Sequence, residues 1–337
     1  MISEPKILKF ARMRKIAILF ITTIFLWSCE TEFEVNAPWE DVTIIYGLLE
    51  ANKDTQYVKV YRAFLGQEDA LMMASSPDSI YYKSEEVKVH LNEYTPSGIL
   101  NNTIVLKDTL LGEFAAINGA SSIPNKAYYF SEPLNDAYGY ELIVAKKDTI
   151  RALTSLVEDK LIDESDNSIN FMSFTNPDNY GNMRLSWDNL INGVAYEVKI
   201  RFFYEEFLNI QNGYSFGIDS IEWRLYFGVD EFELDYGGES FFSNISNQII
   251  ANDSIKRLPR DLKIIFTVAG QELYDYYEYS QPSFSVLLEK PEYEGNIEGG
   301  YGVFSSRIQQ EITRNLHFIS KQRLEIDPYT EDLNFFN

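Results

Sequence analysis

The serine of Gly213-Tyr-Ser-Phe-Gly217 is the residue whose neighbours most resemble a nucleophile's. G-x-S-x-G is the pattern of a nucleophile elbow, in which a strand delivers the serine to a sharp turn and a following helix supplies its dipole. Here Ser215 lies between two β-like runs, and Ile218-Asp-Ser-Ile-Glu-Trp223 reads as a strand, so a glycine-rich turn is the expectation. A triad would depend on His317, the one histidine downstream. With His90 and His317 as the only histidines and Cys29 as the only cysteine, zinc and most transition metals lack a ligand set. Calcium needs only oxygens. Asp163-Glu-Ser-Asp-Asn167 and Asp230-Glu-Phe-Glu-Leu-Asp235 supply them without EF-hand spacing, so both are expected to be solvated acidic loops. Gly299-Gly-Tyr-Gly302 is no phosphate loop, because Ser305 stands where a third glycine is needed; a turn or bulge into Val303-Phe304 is expected. Tyr274, Tyr276, Tyr277 and Tyr279 form a stripe that could stack on sugar rings, although helical spacing of this kind usually marks a packed face. The sequence therefore predicts no catalytic residue, no cofactor and no metal.

Cys29 is the one residue whose surroundings specify a reaction. A basic stretch (Lys6, Lys9, Arg12, Arg14, Lys15) precedes the uncharged apolar run Ile16 to Leu26, the order of a secretory signal and too short for a membrane anchor. The run ends in Leu26-Trp27-Ser28-Cys29, which resembles a bacterial lipobox. That resemblance implies cleavage between Ser28 and Cys29 and acylation of the thiol. An exported chain with one cysteine has no disulfide partner, and lipidation accounts for it. Several acyl chains on one residue anchor firmly, each buried methylene adding about 0.8 kcal/mol. Met13 could itself be the start, since the signal is complete from there. Glu30, Glu32 and Glu34 then resemble the acidic signal that sends lipoproteins of Bacteroidota to the outer face of the outer membrane.

Beyond residue 28 the chain carries 24 Lys plus Arg against 50 Asp plus Glu, a formal charge of 24 − 50 = −26. Such a surface repels nucleic acid and anionic headgroups. The elements that carry these residues read as strands. Val42 to Leu49 is apolar enough for a strand buried on both faces, and it pairs with Gln56 to Leu65 as a hairpin. Glu68 to Ser75 reads as a short helix. Glu86 to Leu91, Asn102 to Thr109, Ala127 to Phe130, Tyr140 to Lys146 and Thr149 to Val157 follow as strands without crossover helices, which predicts a sandwich.

After a polar boundary, Asn182 to Trp187 and the alternating Ala195 to Tyr204 resemble a fibronectin type III module. Ser220 to Val229 continues the pattern, with Trp223, Leu225, Phe227 and Val229 on one side. Phe241 to Ala251 and Gly270 to Ser280 have helical spacing, and Leu262 to Ala269 returns to strand. The predicted fold is mainly β: two β-sandwich domains of immunoglobulin or fibronectin type III kind, the second with two inserted helices. The predicted organisation is a signal (1–28), tether (29–41), first sandwich (42–157), linker (158–168), second sandwich (169–310) and tail (311–337).

The tyrosine-rich helix, the loop with Pro282 and Pro291, and Asn296-Ile-Glu-Gly-Gly-Tyr-Gly-Val-Phe304 together resemble a family of Bacteroidota outer-membrane lipoproteins of unknown function, often encoded beside TonB-dependent transporters. The resemblance spans most of residues 29 to 310 and stops before the tail. It implies a non-catalytic lipoprotein, held at the outer membrane by its lipid and exposed at the surface, that assists a TonB-dependent transporter or captures its ligand. A structural or adhesive surface protein, or a serine hydrolase at Ser215, are the alternatives. Finally, Asp-Ser/Thr-apolar triplets at Ser79, Thr109, Thr149, Ser220 and Ser254 resemble O-glycosylation acceptors of periplasmic and surface proteins in Bacteroidota, and equally fit turns that lead into strands.

Overall fold

A computed structural model describes residues 41–64, 77–114, 123–160, 171–175, 179–208, 214–281 and 295–336. The signal, Cys29, the tether before Asp41, the helix read at Glu68 to Ser75, the proline loop and residues 161–168 of the linker lie outside them.

The chain is mainly β. The opening strand β1 (Asp41–Leu49) pairs antiparallel with β2 (Gln56–Phe64), Ile45 opposite Val60. β1 is not buried on both faces. Thr43, Ile45, Gly47 and Leu49 point into the core, whereas Tyr46 is exposed on the other face. After the short helix α1 (Pro77–Ile80), β3 (Lys88–Tyr94) and β4 (Leu100–Val105) form a hairpin. The strand expected from Asn102 to Thr109 breaks at buried Leu106, because β5 (Lys107–Phe114) leaves for the other sheet and pairs with β6 (Ile123–Phe130). β7 (Gly139–Ala145) and β8 (Ile150–Ser155) close this half. Val89, Leu91, Leu142, Val144 and Ala152 from one sheet meet Ile45, Leu49, Val58 and Val60 from the other, so the core lies between two layers.

The second half contains β9 (Phe171–Met172), β10 (Asn182–Ser186), β11 (Ala195–Leu208), β12 (Ser215–Gly228), β13 (Glu233–Gly237), α2 (Gly238–Gln248), β14 (Ile255–Ala269), α3 (Gln271–Ser280), β15 (Ile297–Glu298), β16 (Tyr301–Leu316) and α4 (Phe318–Ile326). Both inserted helices stand close to where spacing placed them. Strict alternation puts Tyr196, Val198, Ile200 and Phe202 of β11 in the core, where Trp187 packs on Tyr196, Tyr226 and Phe266. The same alternation does not carry through β12. A register shift makes Leu225 an extra residue, so Trp223 and Tyr226 pair with the inward residues Ile200 and Val198, and Phe227 turns to the outer face.

The strands make a long sheet ordered β12-β11-β14-β16-β1-β2-β6-β5, with β9 beside β16, a five-stranded sheet β15-β8-β7-β3-β4, and the pair β10-β13. β16 belongs to both halves. Tyr301 to Ser306 run parallel to Ile44 to Leu49 of β1, and Arg307 to Arg314 run antiparallel to β14. Two clusters of buried residues divide at Leu156 and Val157, yet Ile297 and Phe304 belong to the first. The segment expected to be an unaligned tail places Leu316, Leu324, Leu333 and Phe335 in the second cluster.

Candidate functional site

The segment Asn296 to Phe304 is a splice between the two halves. Asn296 Nδ2 donates to the carbonyls of Leu153 (2.8 Å) and Phe304, and its Oδ1 accepts from the Phe304 amide at 3.2 Å. A side chain thus replaces backbone partners at the start of the strand. Gly299 and Gly302 have φ of +81° and +108°, which favours glycine. At Gly302 a Cβ would also strike the Ile45 carbonyl, so only glycine lets β16 approach β1 here. Phe304 then fills the space over Gly47, where a Cβ would come within 2.8 Å of its ring.

The next residues seat the tyrosine helix. Ser305 and Ser306 are buried. Ser306 Oγ donates to the Ser155 carbonyl (2.8 Å) and accepts from the Val157 amide (3.0 Å), while its own carbonyl accepts from Gly270 at 2.9 Å. Ser305 Oγ donates to Glu272 Oε2 at 2.8 Å and accepts from the Leu273 amide at 3.1 Å; Thr154 Oγ1 also donates to Glu272 Oε2. Every hydroxyl in this seam has a partner, which makes burial of the polar groups tolerable.

Seated there, α3 lies over β16 on the outer face of the long sheet. Tyr276 hydrogen-bonds Tyr46 and meets its ring edge-on, with centroids 6.3 Å apart; Tyr277 packs on Phe227 at 4.8 Å. Tyr274 is half-buried, and Tyr279 is exposed at 36%. Two tyrosines of the stripe therefore dock the helix, and Tyr279 opens to solvent. The sheet extends the aromatic row, Tyr46 to Tyr61 at 6.2 Å and Tyr61 to Tyr81 at 5.7 Å, with Tyr57 beside Tyr129 further along. Desolvation, then the hydrogen bond to Tyr276, raises the Tyr46 phenol above its ordinary value, and burial raises Tyr61. Alternation along β1 and β2 could have marked Tyr46, Tyr57 and Tyr61 as one face. The bulge that adds Phe227 leaves no comparable mark in sequence.

Tyr81 also lines a cavity of about 360 Å³ with Tyr82, Pro124, Lys126 and Leu110. Lys126 Nζ donates to the Tyr82 carbonyl at 3.2 Å and lies 3.6 Å from Asp108. The triplets of Ser79 and Thr109 border this cavity, and both residues are half-buried; Thr149, Ser220 and Ser254 are exposed.

Ser215 opens β12 instead of closing a strand, and Gly213 lies outside the described residues. Its hydroxyl donates to Glu205 Oε1 at 2.6 Å, and Glu205 also pairs with Arg260. The Arg260 hydrogen bond, then that of Ser215, holds the Glu205 carboxyl below its usual range, opposite to what a general base needs. His317 instead caps α4, its Nδ1 accepting from the Ile319 amide. Glu233 and Asp235, expected in a solvated acidic loop, stand instead in β13, where pairing with β10 sets each 3.8 Å from Arg184; the first acidic stretch is outside the described residues. Among the described residues no group of three or more His, Cys, Asp or Glu is arranged to hold a metal ion, and no helix is long and apolar enough to cross a membrane.

Comparison with protein-family models finds no match to this chain, and comparison with curated proteins finds none.

Proposed function

We propose that this chain is a lipid-anchored protein of the outer membrane, displayed at the cell surface, that serves a TonB-dependent transporter as a non-catalytic accessory or ligand-capturing partner. The observation that carries the reading is Cys29, the sole cysteine, placed directly after a charged, apolar and small-residue signal. The likeness of the Asn296 to Phe304 segment and the tyrosine helix to lipoproteins encoded beside such transporters supplies the partner. Asp41, where β1 begins, follows Cys29 by twelve residues (41 − 29), a separation of at most about 43 Å at ~3.6 Å per residue. Confinement within that reach raises the effective concentration at a neighbouring channel without any new contact. The aromatic row on the outer face gives a captured ligand ring edges and hydroxyls to meet.

Co-purification tests the reading. Tagged, lipidated protein should bring down an outer-membrane β-barrel, and Cys29→Ala should move the chain to the soluble fraction and lose that partner. Recovery of the lipidated chain with no β-barrel overturns the transporter role; a bare thiol at Cys29 overturns the anchor.

A further inference from the structure

We infer that the free edge of β12, from Tyr214 to Ser220, is a docking strand for another polypeptide whose contacting segment is extended, apolar on one face and basic. β12 ends the order of the long sheet, so among the described residues β11 is its one strand partner. Its far side, which no strand among the described residues covers, can template a further strand, with the Gly217 and Ser220 amides already donating to Ser215 Oγ and Asp219 Oδ1. From Ile221 onward β12 packs against the second core, whereas Phe216 to Ser220 are all exposed. Tyr214, Phe216 and Ile218 are 67%, 56% and 65% exposed, which places three large apolar side chains within five residues beyond the core. Natural edges are usually guarded by charge. Here Asp219 is the sole charged residue from Tyr214 to Ile221, and a bulge at Phe216, with Gly217 at φ +109°, is the other guard. The register also sets direction: β1 enters at Asp41, and β16, β14 and β11 carry the sheet away from it to Leu208 and Ser215. The apolar edge thus stands at the opposite end of the sheet from the tether's entry.

Charge selects the occupant. Asp219 accepts from Tyr204 Oη at 3.3 Å and from the Ser220 amide at 2.7 Å, and no cation among the described residues pairs with it. Glu205 and Glu206 at the same end are matched by Arg260 and Arg257. A second copy would bring a chain of net charge −26 beyond residue 28, its own Asp219 included, against its like. A partner with Lys or Arg beside its apolar residues meets Asp219 favourably. This inference takes from the proposed function only that a protein partner exists.

Full-length lipidated chain in detergent micelles, mixed with an acetylated, amidated octapeptide alternating Lys and Val, should show amide exchange across Tyr214 to Ile221 slowed by at least about tenfold. The Glu-Val octapeptide should not slow it. Asp219→Lys, and separately Phe216→Ser with Ile218→Ser, should each remove at least about nine-tenths of that protection, with exchange in β14 unchanged as the check on folding. Equal protection by the acidic peptide, protection confined to another edge, or insensitivity to both variants overturns the inference. So does protection of β12 that rises with protein concentration alone, which would assign the edge to a second copy, or a glycan on native Ser220, which would occupy it. Protection by the basic peptide together with failure to recover any β-barrel removes the transporter reading and leaves the docking strand.

Discussion

Arg257 shows how one charge can fasten a chain end. Its guanidinium is buried, with Nε donating to Glu206 Oε1 at 3.0 Å, Nη1 to the Leu333 carbonyl at 2.8 Å and Nη2 to the Ile250 carbonyl at 3.1 Å. Its own amide and carbonyl bond Asn334 and Phe336. Arg257→Met would keep much of the volume but strand Glu206 and two carbonyls. Glu206 is part-exposed, so the cost is that of buried acceptors left unpaired, about 1–3 kcal/mol, and urea denaturation should show a loss of that size. A smaller loss, near the ~0–1 kcal/mol of an exposed pair, would mean that water already serves these groups. Gly302 makes a second, backbone-level case. Gly302→Ala meets both a positive φ and the Ile45 carbonyl, so it should separate β16 from β1 and lower stability more than Gly98→Ala, whose Cβ would meet nothing within 4 Å at a similar positive φ.

At the scale of elements, α3 depends on a few polar contacts because none of its residues is fully buried. Glu272→Ala would leave the buried Ser305 Oγ without its acceptor, while Thr154 Oγ1 keeps the Ser155 carbonyl at 3.3 Å. An unsatisfied buried group costs about 1–3 kcal/mol, and here the loss should be local: faster amide exchange at Leu273 and earlier proteolysis within α3, with β11 and β14 unaffected. Unchanged exchange at Leu273 would show that the tyrosine contacts alone hold the helix. The helix itself was legible in sequence, since its spacing is short-range and regular. What it rests on was not. Phe227 reaches Tyr277 only because Leu225 is bulged, and a bulge is decided by how neighbouring strands register, information that alternation within β12 lacks. The glycines of Gly299-Gly-Tyr-Gly302 were readable as a turn for the same local reason, whereas the role of Asn296 as a backbone substitute depends on Leu153, far away in the chain. The tail shows the limit most clearly. Leu324, Leu333 and Phe335 are buried by long-range contacts with Phe202 and its neighbours, and no pattern inside 311–337 reveals that.

For the whole molecule, the strand β16 and the tyrosine content together define how the fold should fail. Tyr128 sits in the first core and Tyr204 in the second, and desolvation, reinforced by Asp108 and Asp219 respectively, pushes each phenol up to about 12. Burial also raises Tyr140 in the first core and Tyr196 and Tyr236 in or beside the second. An unfolded tyrosine ionises near ~10. A group whose folded value is raised contributes stability that is complete below its unfolded value and is lost as pH rises through the folded one. Stability should therefore hold up to about pH 10 and fall between ~10 and 12, as the unfolded chain releases protons that the native cores retain. Tyrosinate absorbance should show the buried rings ionising late, together with the loss of β-sheet circular dichroism. Because β16 contributes Phe304 to one core and Ile308 and Leu316 to the other, both cores should be lost in one transition. Two separated steps, each releasing part of the buried tyrosines, would show instead that the shared strand transmits no cooperativity and that the halves unfold as independent domains.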